Sequence, residues 1–492
     1  MKYIKRSLFV FIPLLLSLFL IRGYISTNNF KGMLSYILKT SGLNVEFKKE
    51  ELEGFGKIKI DDLKVKDQAG NTVIDAKKAT AKINLMLPSR LSKIEVSDAV
   101  VNLDRYPQNQ FNVFNILKPD DKKKVTYDNT NRLGKLYFYN SVLNYTDTSY
   151  EKKIAKTLKN VNGYLEVSKS RGFSLEAKGS DGDESIKVYL AQKVNTLQSF
   201  KSMFDTTKNT DPKKKEFHLG FEFKNVNVTE SLGQYVPLDM IKAKEGVLTG
   251  NLELTQKRKE SVMKVKGKLD VKNGTVKYED FDGDIENIDA VIDMKNDDIT
   301  VDAKTSIENH PVTFKLGYNM PKQDIKIKLT TDNVPFKEIA RYKVIKDFNV
   351  NASGNVTGEL DAAVNVRSKE FTLDGKFSSP QITLANYRFR DLKTSLKMSK
   401  EQILTLENTT FYFDEAINGF KVKNDVAVPK FTYNVKEKHG NGNYVITNRG
   451  SDYSIGQITG TASINKENII KGDFASRELA GNYTINPKEQ QM

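Results

Sequence analysis

The chain of 492 residues is long enough for two to four ordinary domains or for one elongated repeat. It contains no cysteine, which excludes disulfides and thiolate metal sites, and its three histidines share no motif spacing. Lys and Arg number 77 against 62 Asp and Glu, a net charge of +15. The lysines alternate with acids along the whole chain, which is typical of a solvated surface and does not predict nucleic-acid binding.

The N-terminal segment has a basic start followed by an uncharged run from residue 8 to residue 21. This run is shorter than the ~20 residues that a straight span prefers, but flanking aromatic and basic residues can extend it. No small-x-small cleavage site follows, which favours an uncleaved anchor over a cleaved signal peptide. We predict a single-pass anchor at 1–27, with residues 1–7 in the cytoplasm, and its membrane-facing residues are Leu8, Phe9, Leu14, Leu18 and Ile21.

Helix is otherwise sparse in the sequence. The segment NNFKGMLSYILKTSG at 28–42 places its apolar residues on one helical face. It is predicted to cap the end of a β structure, and a helix lying on a membrane surface is the alternative. A second short amphipathic helix is predicted at 195–207.

Beyond residue 50 the apolar residues recur with a period of two, as in KIKIDDLKVKD and VTFKLGY. This alternation predicts antiparallel strands with one apolar and one wet face. A sheet of this length must curl or split, because strands twist. Either the apolar faces close into stacked sandwiches, or the sheet curls into a trough whose candidate lining residues are Val265, Leu269, Val312, Phe314, Leu316, Ile325, Ile327, Leu329, Phe371 and Leu373.

Internal repeats occur at two lengths. LTGNLELT at 248–255 recurs as VTGELDAA from residue 356, and flanking segments recur at nearly the same offset of 108 residues. Each copy is predicted to hold a strand, a short helix starting near Thr229 or Lys337, and several strands. A shorter signature recurs as two strands separated by a turn, with the turns at Asp98, Asn140 and Asn273.

These patterns divide the chain into six predicted segments. They are the anchor at 1–27, an N-terminal β region with its capping helix at 28–125, a second β segment at 126–215, β repeat units at 216–324 and 325–440, and a terminal β segment at 441–492.

Catalytic motifs are missing from the sequence. No HExxH, GxSxG or P-loop spacing is present. DFDGD at 280–284 has the carboxylates of a calcium loop, but its glycine is misplaced and Val291 stands where a bidentate glutamate is needed. The chain is therefore predicted not to be an enzyme and to need no metal or cofactor.

Three stretches resemble the TamB/AsmA-like family of anchored periplasmic proteins: EGFGKIKIDDLKVKDQAGNTVIDAKKATAKINL (53–85), SRLSKIEVSDAVVNLDRY (89–106) and RLGKLYFYNSVLNYTD (132–147). The LTGNLEL and VTGELDA strands also resemble family repeats. TamB itself is longer, so the resemblance implies a shorter AsmA-like relative or a truncated form.

The resemblance implies a mainly β fold, an elongated repetitive sheet curled into a hydrophobic groove (a β-taco), with an N-terminal transmembrane helix and few short amphipathic helices. It implies localisation to the inner membrane with the bulk of the chain in the periplasm. The implied role is movement of phospholipid, held by its acyl chains, between the inner and outer membranes. The alternative is assembly of outer-membrane proteins through strand edges, with an outer-membrane β-barrel partner.

Overall fold

The computed structural model describes the following residues of the chain: 13–24, 44–84, 91–107, 110–112, 135–149, 153–168, 172–192, 217–229, 241–256, 264–279, 281–307, 309–341, 352–384, 387–417, 419–452 and 456–486. The described part divides into two compact units. Unit 1 comprises Met1–Tyr235 and Val247–Leu269, and unit 2 comprises Val236–Gly246 and Asp270–Met492.

Strands dominate both units, as the alternation of the sequence predicts. The first part of the chain forms β1 Asn44–Glu46, β2 Lys49–Leu52, β3 Lys57–Lys66, β4 Thr72–Ile83, β5 Leu91–Tyr106, β6 Gln110–Phe111, β7 Lys135–Asp147, β8 Ile154–Ser168, β9 Gly172–Asp181, β10 Glu184–Gln192, β11 Phe217–Thr229, β12 Ile241–Gln256 and β13 Lys264–Tyr278.

The remaining strands belong to unit 2. They are β14 Asp284–Asn296, β15 Asp298–Ile307, β16 His310–Asn319, β17 Asp324–Pro335, β18 Ala352–Asn365, β19 Glu370–Leu384, β20 Tyr387–Met398, β21 Ile403–Ile417, β22 Phe420–Asn434, β23 His439–Asn448, β24 Gln457–Ile464, β25 Ile470–Ala475 and β26 Ala480–Ile485. From β14 to β26 each strand pairs antiparallel with the next. The mainly β, antiparallel fold is therefore confirmed.

Unit 1 contains a departure from this order, because β5 and β7 pair in parallel. Their register is offset by 42 residues, which places Asn102 beside Asn144 and Arg105 beside Asp147. Asp147 is fully buried, and its carboxylate accepts a hydrogen bond from Arg105 at 2.9 Å. Two of the three copies of the shorter sequence signature, those around Asp98 and Asn140, thus lie side by side.

Unit 1 also holds a closed apolar core on strands β3 to β5. Its members are less than a tenth exposed and many are alanines: Ile58, Ile60, Leu63, Ala76, Ala79, Ala81, Ile83, Leu91, Val96 and Ala99. Alternate residues of each strand supply this core, as the period of two requires.

Many long strands bend at one left-handed Asp or Asn within the strand. These residues have φ between 48° and 56°, and they are Asp62, Asp98, Asn140, Asn160, Asn225, Asn273, Asn287, Asn333, Asp391 and Asn408. Asp and Asn adopt this conformation more readily than other residues with a Cβ. The predicted turns at Asp98, Asn140 and Asn273 are therefore wrong, because the strand continues through each of them as a bulge.

The bulge shifts the alternation by one residue. On β3, even-numbered Ile58 and Ile60 are buried before Asp62, and odd-numbered Leu63 and Val65 are buried after it. The extra residue keeps apolar side chains on the same face along the whole bent strand.

The bulges also explain the repeat of 108 residues. The freed N–H of Asn225 donates to the Thr249 hydroxyl at 3.0 Å, and the N–H of Asn333 donates to the Thr357 hydroxyl at 2.9 Å. The glycine after each threonine lies against the next strand. A Cβ at Gly250 would overlap the carbonyl oxygen of Lys268. In each recurring Thr-Gly pair, the threonine hydroxyl therefore accepts the N–H of a bulge residue. The glycine that follows lets the next strand approach closely.

Helices are short in the described part. Residues 13–24 form α1, and Phe336–Ile339 form α2 close to the helix start predicted at Lys337. The predicted helices at 28–42 and 195–207, and the copy near Thr229, lie outside the described residues or at their limit.

The predicted membrane anchor is not supported. Leu14, Leu18 and Ile21 lie on α1 and are each more than half exposed, whereas Leu8 and Phe9 lie outside the described residues. Among the described helices, none combines the length and the apolarity that crossing a membrane requires. The prediction of a single-pass inner-membrane protein is contradicted by this finding.

Candidate apolar binding face

Strands β14 to β22 of unit 2 align their apolar residues in rows that cross the sheet. Row 1 consists of Ile292, Val301, Leu316, Ile327, Ala362, Leu373, Met398, Leu404 and Tyr433, each paired with the next. Row 2 consists of Ala290, Ala303, Phe314, Leu329, Leu360, Gly375, Leu396, Leu406 and Phe431 in the same manner. Row 3 is shorter and consists of Met294, Ile299, Tyr318, Ile325, Val364 and Phe371.

The rows arise from the register of successive hairpins. In each strand the row residues are two positions apart, so they point to one face. The pairing of β15 with β16 and of β16 with β17 holds Val301 opposite Leu316, and Leu316 opposite Ile327. A slip by one residue would move every row residue to the other face.

The row residues are only half-buried. Every member of the three rows has intermediate exposure except Met294 and Gly375, which are buried. The core of unit 1 behaves differently, since its large side chains such as Ile58 are 1 % exposed. Within the described part of unit 2, the apolar rows therefore remain open to a ligand or to solvent.

The structure gathers most of the predicted lining residues on this face. Leu316, Ile327 and Leu373 lie in row 1, Phe314 and Leu329 in row 2, and Ile325 and Phe371 in row 3. Val312 is buried on β16, opposite Thr331. Val265 and Leu269 are half-buried on the part of β13 that belongs to unit 1.

Several row residues escaped the sequence prediction. They are Ile292, Val301, Ala362, Val364, Leu360, Leu396, Met398, Leu404, Leu406, Tyr433 and Phe431. The alternation of KMSKEQILTLEN around β20 and β21 carries the signal, but the bulges at Asp391 and Asn408 interrupt the period of two.

The opposite face of these strands is charged. Lys315 pairs with Asp302 at 3.3 Å, and Lys328 lies 3.6 Å from Glu359. Lys397 and Glu407 are 2.8 Å apart, and their hydrogen bond raises the pKa of Lys397 and lowers the pKa of Glu407. The two faces of the sheet therefore differ in chemistry along their whole shared length.

A hollow of about 1100 Å³ lies against β15 to β22 of unit 2. Its lining includes charged residues such as Lys326 and Asp361 together with members of row 1, but none of rows 2 and 3. We therefore place this hollow on the charged face.

At the last strands the rows change composition, and glycines face aromatic rings. Tyr444 lies opposite Gly460, and Tyr483 lies opposite Gly472. A Cβ added at either glycine would stand 2.5 Å from the tyrosine ring. The Tyr444 hydroxyl donates to the carbonyl oxygen of Asp473 at 3.1 Å, and burial raises the pKa of Tyr444 to about 12.

Residues 281–284 of the DFDGD segment form a corner in unit 2. Arg341 donates from Nε to the carbonyl oxygen of Asp282 at 2.6 Å and from a terminal nitrogen to Glu338 at 2.7 Å. Its guanidinium lies 4.5 Å from the centre of the Phe281 ring. The described residues contain no cluster of three or more His, Asp or Glu side chains that could hold a metal.

The geometry defines a class of protein: a β-sheet protein with a half-open apolar face backed by a charged face. Neither family models, curated proteins nor solved structures match the chain. The resemblance to the TamB/AsmA-like family therefore stays a prediction from the sequence.

Proposed function

We propose that rows 1 to 3 of unit 2 hold the acyl chains of phospholipid, and that the protein binds and moves lipid without catalysing a reaction. The observation that carries the proposal is the set of aligned, half-buried rows. Soluble proteins rarely expose contiguous apolar surface of this extent unless it binds a partner or a ligand.

The energetics suit an acyl chain. Row 1 crosses nine strands, and at about 4.8 Å per strand it runs for roughly 40 Å. Each buried CH₂ contributes ~0.8 kcal/mol, so a long chain is held without specific contacts. Because no polar side chain interrupts row 1 apart from the Tyr433 hydroxyl, a chain can slide along it.

The aligned bulges support a curled sheet. In unit 2 they lie at Asn273, Asn287, Asn333, Asp391 and Asn408, and each bends its strand while preserving the apolar face. A sheet bent along such a line is concave on one side.

The test is bound lipid. The protein is expressed in a Gram-negative host, purified without detergent, and analysed by native and lipid mass spectrometry. The expected result is phospholipid bound to the folded protein. A lipid-free, monodisperse protein would mean that the face is closed on itself, and the proposal would fail.

A matched pair of variants sharpens this test. Leu406 lies in row 2, and its chain neighbour Thr405 lies on the charged face opposite Lys397. Leu406→Asp should reduce the bound lipid severalfold, because a buried carboxylate strongly disfavours a neighbouring acyl chain. Thr405→Asp adds the same charge one residue away and should leave lipid binding unchanged. Circular dichroism and urea unfolding confirm that both variants fold.

A further inference from the structure

Six hairpin turns follow one edge of unit 2. Alternate turns of an antiparallel meander lie on the same edge. Here these are the turns that join β14 to β15, β16 to β17, β18 to β19, β20 to β21, β22 to β23 and β24 to β25. We name the last five of them the hairpin rim, which consists of residues 320–323, 366–369, 399–402, 435–438 and 465–469.

Backbone contacts join neighbouring turns of the rim. The N–H of Val366 donates to the carbonyl oxygen of Gln323 at 2.9 Å, and the N–H of Val435 donates to that of Gln402 at 3.0 Å. Lys400 bridges to Glu370 at 2.7 Å, which links the second and third turns. The first four turns of the rim are therefore joined into a continuous border.

The rim is basic. Its cationic residues are Lys322, Arg367, Lys369, Lys400, Lys436, Lys438 and Lys466, against the acidic Glu401, Glu437 and Glu467. All ten are exposed. On the charged face, by contrast, cations and acids form cross-strand pairs such as Lys315 with Asp302. Within unit 2 the rim is therefore a positively charged patch, with seven cations against three acids.

Aliphatic side chains stand among these cations. Val366 is 50 % exposed, Val435 is 40 % exposed, and Ile403, directly after the third turn, is 37 % exposed. An exposed valine at a hairpin tip contributes nothing to the sheet's own packing. Cations interspersed with exposed aliphatic groups are typical of surfaces that lie against anionic lipid headgroups.

The rim borders the apolar face. Row 3 is the row nearest to the turns, with Tyr318 and Ile325 flanking the first turn and Val364 and Phe371 flanking the second. An acyl chain that leaves a membrane at the rim would therefore meet row 3 first, without crossing the charged face.

We propose that the hairpin rim docks on the surface of an anionic phospholipid bilayer and is the edge through which acyl chains reach the apolar rows. The second part rests on the proposed lipid-binding function, and the first part does not. Charge attracts the rim to the membrane, and the valines enter the headgroup region.

The experiment is sedimentation of the full chain with vesicles. One set is phosphatidylcholine alone, and the other contains phosphatidylglycerol as well. The rim variant is Arg367→Glu with Lys436→Glu, and the control is Lys304→Glu with Lys326→Glu on the charged face, which makes the same change in net charge. The protein should bind the anionic vesicles, and the rim variant should bind about tenfold more weakly or worse. The control should bind as the wild type does.

Other outcomes overturn the docking proposal. Equal loss of vesicle binding in the control variant would mean that net charge alone drives binding. Equal binding to neutral vesicles would mean that the charge of the rim does not contribute.

A second variant, Val366→Ser with Val435→Ser, should also weaken binding, since it removes only the aliphatic contact. Leu406→Asp separates the two proposals: it should lose bound lipid yet still bind vesicles through the rim.

Discussion

Gly354 shows how single backbone positions set the close approach of strands in unit 2. Its φ is +123°, and a Cβ there would overlap the carbonyl oxygen of Gln381 on β19. Gly317 provides the control, because a Cβ at that position meets nothing within 4 Å. We expect Gly354→Ala to lower the free energy of unfolding by about 2–3 kcal/mol. Gly317→Ala should leave it unchanged or raise it by up to ~1 kcal/mol. Urea unfolding of both variants measures the difference, and similar midpoints would refute the assigned strain.

Tyr444 gives a prediction for alkaline pH. Burial raises its pKa to about 12, above the value near 10 of an unfolded tyrosine. The folded state therefore keeps a proton that the unfolded state loses. This contribution to stability is complete below about pH 10 and is lost as the pH rises towards 12.

The measurement compares the wild type with Tyr444→Phe across this range. The unfolding free energy of the wild type should fall more steeply with pH than that of the variant. The difference in tyrosinate absorbance between the wild type and the variant isolates the titration of Tyr444 from those of the chain's other tyrosines. Parallel curves for the two proteins would show that Tyr444 ionises normally.

At the scale of the element, the bulge within a long strand recurs throughout this fold. Substitutions at Asn333 on β17 test whether the strand bulges there. Its φ is 54°, and its N–H is held by Thr357. Asn333→Val places a β-branched side chain in the left-handed region and should destabilise unit 2 by about 1–2 kcal/mol. Asn333→Gly accepts the conformation and should cost much less. Thermal unfolding ranks the variants, and a valine variant as stable as the glycine variant would argue against a bulge here.

The sequence predicts the strands but not their bends. Alternation in VTFKLGY and DIKIKL fixes which residues of β16 and β17 share a face. The shift at Asn333 looks like the end of one strand, since Asn is also a common turn residue. The parallel pairing of β5 with β7 depends on a long-range contact, which no local pattern encodes.

The residues of the candidate site were likewise only partly predictable from the sequence. Phe314, Leu316, Ile327 and Leu329 were predictable because the period of two is unbroken around them, and the bulge of β17 at Asn333 lies beyond them. Leu404 and Leu406 were not, because the bulges at Asp391 and Asn408 interrupt the period of two on β20 and β21.

At the scale of the whole molecule, an open apolar face has a thermodynamic signature. Unfolding normally raises the heat capacity by ~12–15 cal/mol/K per residue, mainly by exposing apolar surface to water. In this protein, part of that surface is already half-exposed in rows 1 to 3. We expect the delipidated protein to show a heat-capacity change per residue below this range in scanning calorimetry. A value within the range would mean that the rows are covered in solution. Sedimentation velocity on the same sample would then show whether a second copy covers them, and a monomer would place the cover within the chain itself.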